Sequence, residues 1–226
     1  MHSEITKLTR TFMTMRGHYE PWLVALSFVI AAFGSYIALR LAPAWSGRSA
    51  IGEAGRVRGV LPSGTTLGLT IWAMHFTGMA AFHVHGVTIS YLWPATVLSL
   101  VVAVVFTILG FATLTLLHEP REALIVAGIP MASGILSMHF LGMMAMAGDL
   151  HLHFEPGLVI GAGALALFAS IAALWMTTLR QRLLSRMGSA LVMAVAICGM
   201  HYTGMAAAHF SALTPEGDPS PSSVPG

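Results

Sequence analysis

Long runs without a single charged side chain constrain this sequence more than any other feature. No Asp, Glu, Lys or Arg occurs in five stretches: 21–39, 59–118, 123–148, 156–179 and 187–215. About 20 apolar residues in a helix cross the ~30 Å hydrocarbon core of a membrane. A helix satisfies its own backbone hydrogen bonds in lipid, and the runs lack the alternation of barrel strands. The stretches therefore predict six transmembrane helices, at 21–41, 64–83, 91–117, 123–147, 156–179 and 187–210.

Composition supports a membrane protein and excludes several other classes. Only 9% of the residues are charged, whereas a soluble domain carries about 25%. The net charge of +2 is too small to suggest a nucleic-acid partner. A single cysteine, Cys198, excludes a disulfide framework and a cysteine-based metal cage. We find no phosphate loop, nucleophile–base set or carboxylate pair, so we expect no enzyme activity.

Basic residues in alternating loops predict the orientation of the helices, because Lys and Arg concentrate on the cytoplasmic side. They fall between helices 1 and 2, 3 and 4, and 5 and 6: Arg40, Arg48, Arg56, Arg58, Arg121, Arg180, Arg182 and Arg186. Both termini are then outside. We expect an extracytoplasmic segment over 1–17, a transmembrane domain over 18–210 and a disordered extracytoplasmic tail over 211–226. The N-terminal segment carries basic residues of its own, Lys7, Arg10 and Arg16. They favour a cytoplasmic N-terminus, so the side of the membrane on which the N-terminus lies stays undecided.

One hexamer occurs three times in the sequence. The copies are Met74-His75-Phe76-Thr77-Gly78-Met79, Met138-His139-Phe140-Leu141-Gly142-Met143 and Met200-His201-Tyr202-Thr203-Gly204-Met205. Each lies toward the outer end of an even-numbered helix. The chain is therefore predicted to be an all-α membrane bundle of three tandem helix-pair repeats about a pseudo-threefold axis. Because such repeats often place a site at their interface, we expect the three histidines to converge near the outer leaflet.

Helical spacing extends each hexamer into a stripe of histidine and methionine. Residues four apart share a helix face, which groups His75 with Met79 and His83, and His201 with Met205 and His209. In the second repeat, His139 and Met143 keep the stripe. An ionisable side chain so deep in a membrane normally faces the interior of a bundle. All eight residues are candidate metal ligands.

The pairing of imidazole with thioether indicates which metal such a site would hold. Imidazole binds Cu, Zn, Fe and Ni, and thioether favours Cu(I). The motif helices lack carboxylates, which disfavours Ca, Mg and Mn. Copper is the best match, and a haem with His/His or His/Met axial ligands is the alternative. A diatomic gas can bind a reduced metal of either kind in an apolar pocket.

The repeated hexamer resembles the motif of the MHYT domain, a bacterial integral-membrane sensor. The resemblance covers residues 18–210, including Ser35-Tyr36-Ile37-Ala38-Leu39 and the approach Ile71-Trp72-Ala73. It implies a location in the bacterial inner membrane, copper binding, and sensing of oxygen, carbon monoxide or nitric oxide. The implied ligands are His75, Met79, His139, Met143, His201 and Met205, with Met74, Met138 and Met200 as further candidates.

Three functions stay open at this point. The first is a sensory module in the lipid bilayer that binds a metal ion and a diatomic gas. Family members often continue through a seventh helix into a cyclic-di-nucleotide enzyme, whereas this sequence ends after the third hexamer. The sensor is therefore expected to need a separate signalling output protein or a homo-oligomer. The alternatives are a haem-binding or redox membrane subunit and a metal transporter.

Overall fold

The computed structural model describes residues 12–14, 17–42, 52–84, 89–117, 120–147, 150–179 and 182–213. Within these residues the chain forms six helices: α1 (Pro21–Leu41), α2 (Gly52–Ala80), α3 (Trp93–Leu116), α4 (Pro120–Met144), α5 (Pro156–Thr178) and α6 (Leu183–Ala206). All except α2 are long and apolar enough to cross a membrane by length and composition. The predicted helical membrane bundle is confirmed, and the chain is a multi-pass membrane protein.

Helix α2 differs most from its predicted bounds. It begins at Gly52, because the basic segment before the predicted span continues the helix. Two of its hydroxyl side chains, Ser63 and Thr70, are buried. Gly64 and Gly68 bring its backbone against α3, where a Cβ on either glycine would come within 2.7 Å of a Cα atom. The lower hydropathy of α2 reflects the Gly, Ser and Thr residues in its sequence.

Short strands join the helices where the sequence analysis expected only loops. They are β1 (Phe12–Thr14), β2 (Gly17–Tyr19), β3 (Phe82–Val84), β4 (Ser90–Tyr91), β5 (Met146–Ala147), β6 (Leu150–Phe154) and β7 (Ala208–Leu213). Antiparallel ladders join β2 to β3, β4 to β5, and β6 to β7, and β1 adds to β7. Residues 211–213, expected in the tail, instead continue β7. The rest of the predicted tail, 214–226, and the N-terminal residues 1–11 lie outside the described residues.

Each ladder closes one helix-pair repeat. The strand before an odd-numbered helix pairs with the strand after the next even-numbered helix. The same backbone hydrogen bond recurs in each repeat, from Glu20 N–H to the Ala81 carbonyl (2.9 Å), from Leu92 to Ala145 (2.8 Å) and from Glu155 to Ala207 (2.9 Å). Helices α2, α4 and α6 contact one another, and each odd helix packs between two even ones. The predicted pseudo-threefold arrangement is present.

The exterior of the bundle is apolar. Large side chains are exposed on most helices, including Phe33 (66%), Trp93 (76%), Ile160 (72%) and Leu184 (81%). A soluble monomer rarely exposes so much apolar surface, whereas lipid is the natural solvent for it. The buried polar side chains, His75, His139 and His201 among them, lie in the interior.

Two apolar clusters fill the interior, one on each side of the motif histidines along the even helices. The larger cluster extends along the helices and contains Met74, Met138 and Met200, which precede the histidines. The smaller cluster, called the outer cluster below, combines residues at the ends of the even helices with strand residues: Met79, Phe82, Val84, Met143, Met205 and Ala208. The histidines therefore lie between two layers rich in methionine.

Candidate metal centre

The three motif histidines occupy equivalent places in the even helices. His75, His139 and His201 each stand five positions before the last residue of their helix. Each side chain is fully buried, with 0% exposure. Because the even helices run in one direction and contact one another, equal depth brings the three side chains to the axis. The predicted convergence of the motif histidines is confirmed.

The imidazoles meet through one nitrogen each. The Nδ1–Nδ1 distances are 3.0 Å for His75–His201, 3.1 Å for His75–His139 and 3.4 Å for His139–His201. The rings stand nearly perpendicular to one another, at interplanar angles of 73°, 89° and 82°. Across the described part of the chain, this is the one group of three or more His, Cys, Asp or Glu with ligand atoms within 4.8 Å of one another. We call it the histidine triad.

Hydrogen bonding alone cannot satisfy this triangle. In a neutral imidazole, Nδ1 is either a donor or an acceptor. Three atoms with two possible roles cannot form three donor–acceptor pairs, so at least one contact joins two donors or two acceptors. A cation near the axis would instead accept three lone pairs at once. The triangle therefore suits a metal ion better than a purely structural packing of histidines.

The second nitrogen of each ring is also unsatisfied. Nε2 of His75, His139 and His201 is buried without a hydrogen-bond partner. A buried polar group left unpaired costs about 1–3 kcal/mol. Natural proteins keep few such groups, and they concentrate at functional sites. If the three histidines only filled space in the core, their unpaired Nε2 atoms would destabilise the protein with no compensating role.

The nitrogen spacing fits the bond lengths of a metal site. Zinc binds imidazole nitrogen at about 2.0–2.1 Å, so tetrahedral ligands of such an ion stand about 3.3–3.4 Å apart. The observed separations of 3.0–3.4 Å need adjustments of no more than about 0.4 Å. Three ligands of a four-coordinate ion leave one position for an exogenous ligand. The residues present therefore fit a three-histidine metal centre.

The motif methionines are buried on both sides of the triad. Met79, Met143 and Met205 are 1%, 0% and 3% exposed and pack in the outer cluster. Each follows its histidine by four residues and so shares its helix face. Met74, Met138 and Met200 lie in the larger cluster. The structure thus places thioether side chains on both sides of the three imidazoles.

Two predicted candidates do not join the triad. The stripe through His83 and His209 assumed continuous helices, but α2 ends at Ala80 and α6 at Ala206. His83 lies exposed on β3, where its ring stacks on that of His18 at 5.7 Å. His209 lies on β7 with its Nε2 3.9 Å from a Glu155 carboxylate oxygen, and both side chains are more than half exposed. The helical periodicity was extended past the point where the helices end.

Aromatic rings that the sequence analysis did not name as site residues pack against the triad. The residue after each motif histidine contacts its ring, with centroids 5.0 Å apart for His75–Phe76, 5.1 Å for His139–Phe140 and 4.8 Å for His201–Tyr202. These rings then contact rings at the edge of the bundle, Tyr91 at 5.6 Å, Phe154 at 5.0 Å and Tyr19 at 5.7 Å. The sequence feature that could have revealed this aromatic layer is the aromatic residue at the third position of every hexamer.

The third repeat departs from the symmetry of this aromatic layer. The Tyr202 hydroxyl lies 3.0 Å from Ser27 Oγ, which ties α6 to α1, whereas the equivalent residues are phenylalanine. Partial burial, with a further contribution from nearby Tyr202, raises the pKa of Tyr19 to about 12. Burial also raises the pKa of Tyr91. Both phenols are therefore uncharged at physiological pH, and the layer adds no charge beside the triad.

Comparison with protein families identifies the repeat. The family model MHYT, described as a bacterial signalling protein N terminal repeat, matches residues 68–127, 133–190 and 195–220. These three segments cover well over half of the chain, and each contains one hexamer. No solved structure matches the chain.

The chain is also similar to signalling proteins of known name. It is 38% identical over 199 residues to the bifunctional diguanylate cyclase/cyclic di-GMP phosphodiesterase MucR of Pseudomonas aeruginosa. This alignment covers 85% of the chain and 28% of MucR. It is 34% identical to the cyclic di-GMP phosphodiesterase NbdA of the same organism (89% and 26%) and 31% identical to the signaling protein YkoW of Bacillus subtilis (88% and 25%). The chain spans about a quarter of the length of these relatives. With three repeat matches and this level of identity, the chain belongs to the MHYT family of bacterial signalling proteins.

Proposed function

We propose that this chain is a membrane-embedded sensory module in which the histidine triad holds one copper ion. The signal would be a diatomic gas (oxygen, carbon monoxide or nitric oxide) or the redox state of the surroundings. The observation that carries the proposal is the triangle of three buried Nδ1 atoms at 3.0–3.4 Å. Hydrogen bonds cannot satisfy that triangle, whereas a cation would.

The chemistry of the ligands favours copper(I) over other ions. The triad offers three neutral nitrogens and no carboxylate, which suits neither Mg²⁺ nor Ca²⁺. An uncompensated charge is costly in an apolar interior, and the cost is larger for a dication than for a monocation. Thioether groups on either side of the triad, among them Met79 and Met143 in the outer cluster, also favour a soft ion.

The packing favours copper over the haem alternative. A haem with two axial histidines would have to place a flat macrocycle between the imidazoles. The rings of the triad instead contact one another directly, with centroids 4.9–5.2 Å apart. Opening that space would require the three even helices to separate. A redox role of a bound copper ion remains compatible with the same geometry.

The packing also favours a fixed site over a transport path. In the described part of the chain, the core on the far side of the triad from the strands is filled by side chains with 0–1% exposure, such as Leu67, Met131 and Leu174. A transporter would need polar groups along such a path to replace the hydration of an ion.

The chain's own residues perform three tasks in this proposal. The even helices hold neutral imidazoles in place, the apolar core excludes water, and the outer cluster separates the triad from the strands. An apolar layer admits small neutral molecules more readily than ions. When bound, copper(I) supplies the affinity for such gases.

Orientation and output complete the proposal. The ends of the helices opposite the strands carry Arg40, Arg58, Arg121 and Arg182, which favours a cytoplasmic location for those ends. The strands and the triad then lie toward the outside of a bacterial inner membrane. Since the relatives' names include cyclic di-GMP enzymes, we propose that this module regulates such an enzyme, in a longer chain, a separate partner or a homo-oligomer.

The test is copper binding by the purified protein and its variants. The protein is purified in detergent, loaded with copper(I) and analysed for bound metal, with carbon monoxide binding followed by infrared spectroscopy. We expect one copper per chain, a CO stretching band, and loss of both in His75→Ala, His139→Ala and His201→Ala. His83→Ala, an exposed histidine outside the triad, is the matched control and should keep both. Equal copper content in wild type and the triple histidine variant would refute the proposal, and a Soret band would favour haem.

A further inference from the structure

Three glycines of the hexamers each contact an imidazole from a different repeat. A Cβ built on the glycine would lie closest to a histidine Nε2 in every case: His201 for Gly78, His75 for Gly142 and His139 for Gly204. The contacts follow one cyclic order, in which the histidine of each repeat packs on the glycine of the next, and the third returns to the first. The same contact therefore occurs three times around the pseudo-threefold axis.

A methyl group at any of these glycines would occupy space that the ring fills. Besides the collision with Nε2, it would lie 2.8–2.9 Å from the ring Cδ2 and 3.0–3.3 Å from Cε1. Real Cβ atoms essentially never approach a heavy atom within 3.0 Å. The imidazole has only two torsions and faces two other rings at the axis, so it cannot move aside as a long flexible chain could. Either the ring or the helix would have to shift.

We propose that Gly78, Gly142 and Gly204 are positioning residues that seat the three imidazoles and direct Nδ1 toward the axis. The Nε2 edge of each ring is pressed against a helix backbone, where it finds no hydrogen-bond partner. The opposite edge, with Nδ1, is thereby left facing the other two rings. The metal-related part of this inference rests on the proposed copper site, whereas the packing part stands independently.

The cyclic order has a consequence for the design of the site. Each repeat supplies one ligand and a seat for a ligand from another repeat. No single repeat therefore contains a complete unit of histidine and seat. Metal–ligand distances in real sites stay within about 0.2 Å of their usual values, so a ring pushed out of place by a methyl group at one of these glycines would no longer match them. We expect a substitution at one of these three glycines to impair copper binding, although it leaves the ligand atoms themselves unchanged.

The first experiment compares copper affinity in glycine variants by competition with a copper(I) chelator. Gly78→Ala, Gly142→Ala and Gly204→Ala should each weaken binding 10–100-fold, the range typical for residues that orient metal ligands. Gly199→Ala lies on the same helix as Gly204, and its methyl would meet nothing within 4 Å, so it should retain wild-type affinity within twofold. Gly134→Ala on α4 collides with Phe106 away from the triad and controls for general loss of helix packing. Equal losses in Gly134→Ala and Gly142→Ala would overturn the seating role.

The second experiment needs no metal and identifies the contact partner. Thermal unfolding is measured in detergent with excess chelator. Gly142→Ala should lower the Tm in the wild-type background, but should leave it unchanged or raise it in the His75→Ala background, where the methyl enters the vacated space. In the His139→Ala and His201→Ala backgrounds Gly142→Ala should still lower the Tm. If Gly142→Ala alone does not fold, recovery of folding by His75→Ala, but not by His139→Ala, gives the same answer.

The two experiments separate the seating role from the copper site. If His75→Ala rescues Gly142→Ala while the wild-type protein binds no copper, the packing is upheld and the proposed function is refuted. Rescue by all three histidine substitutions alike, or by none of them, would overturn the cyclic seating whatever the copper content.

Discussion

Replacing one triad histidine by an apolar residue should stabilise the metal-free protein. His139→Leu removes an unpaired buried Nε2 and one member of a triangle that cannot be fully hydrogen-bonded. Removing an unsatisfied buried group returns about 1–3 kcal/mol, and repacking a leucine of comparable size costs less than about 1.5 kcal/mol. The net change in the free energy of unfolding is then between about −0.5 and +3 kcal/mol, with its midpoint on the stabilising side. At about 2–4 °C per kcal/mol for a chain of this size, the Tm should rise by up to about 12 °C.

Bound copper should reverse the order of stability between wild type and His139→Leu. A ligand at 1,000 times its Kd stabilises the native state by about 4.1 kcal/mol, and only the wild type has the complete site. In copper(I) the wild type should therefore become the more stable protein, while His139→Leu keeps its metal-free Tm. The assay is thermal unfolding in detergent with chelator and with copper(I).

A matched control distinguishes the triad from other buried polar groups. Thr107 is 1% exposed, and its hydroxyl lies 2.8 Å from the carbonyls of Gly64 and Ala103, so it is satisfied by hydrogen bonds. Thr107→Val should lower stability by about 0.5–1.5 kcal/mol, equally with and without copper. If His139→Leu instead lowers stability by more than about 2 kcal/mol in both conditions, the histidines are structural core residues and the reasoning fails.

Three further predictions concern the surroundings of the triad. Met205→Leu should release copper(I) to a chelator faster than wild type, whereas Met193→Leu on the same helix, equally buried at 3% exposure, should not; equal rates would exclude a thioether contribution. Because the pKa of Tyr19 is raised to about 12 in the folded protein, above its ordinary value of about 10, its contribution to stability is present below pH 10 and is lost as the pH rises toward 12. Tyr19→Phe should therefore lose less Tm than wild type between pH 10 and 12, and parallel curves would contradict this. Reporter fusions after Gly52 and Ser185 should read cytoplasmic and one after Ser222 external, and a cytoplasmic reading at Ser222 would reject the proposed orientation.

The positions of the motif histidines could be predicted from sequence because the repeats are regular. The equal distance of His75, His139 and His201 from the ends of parallel helices brings them together at one depth, whatever the details of packing. Which nitrogen faces the axis could not be predicted. That choice depends on Gly142 beside His75 and on the equivalent pairs, and such contacts join residues more than 60 positions apart.

Short-range sequence patterns do not reveal the strands or the exact ends of the helices. The ladder of β4 and β5 joins segments of two residues each, too short for an alternation to be visible. The alternation in Leu150–Phe154 was visible, but it was assigned to a loop. His83 and His209 were placed on helical stripes because periodicity gives no sign of a helix end when no proline or glycine marks it. The start of α2 was missed because charged residues near its beginning were taken as a loop rather than as an extension of the helix beyond the membrane.

The most direct test of the central claim is X-ray absorption spectroscopy at the copper edge of the copper(I)-loaded protein. The proposed copper site predicts three nitrogen neighbours at about 2.0 Å, with the multiple-scattering pattern of imidazole. The signal should disappear from the triple variant His75→Ala/His139→Ala/His201→Ala and persist in His83→Ala. A first shell composed of sulfur alone, or an unchanged spectrum in the triple variant, would contradict a copper centre built on the histidine triad.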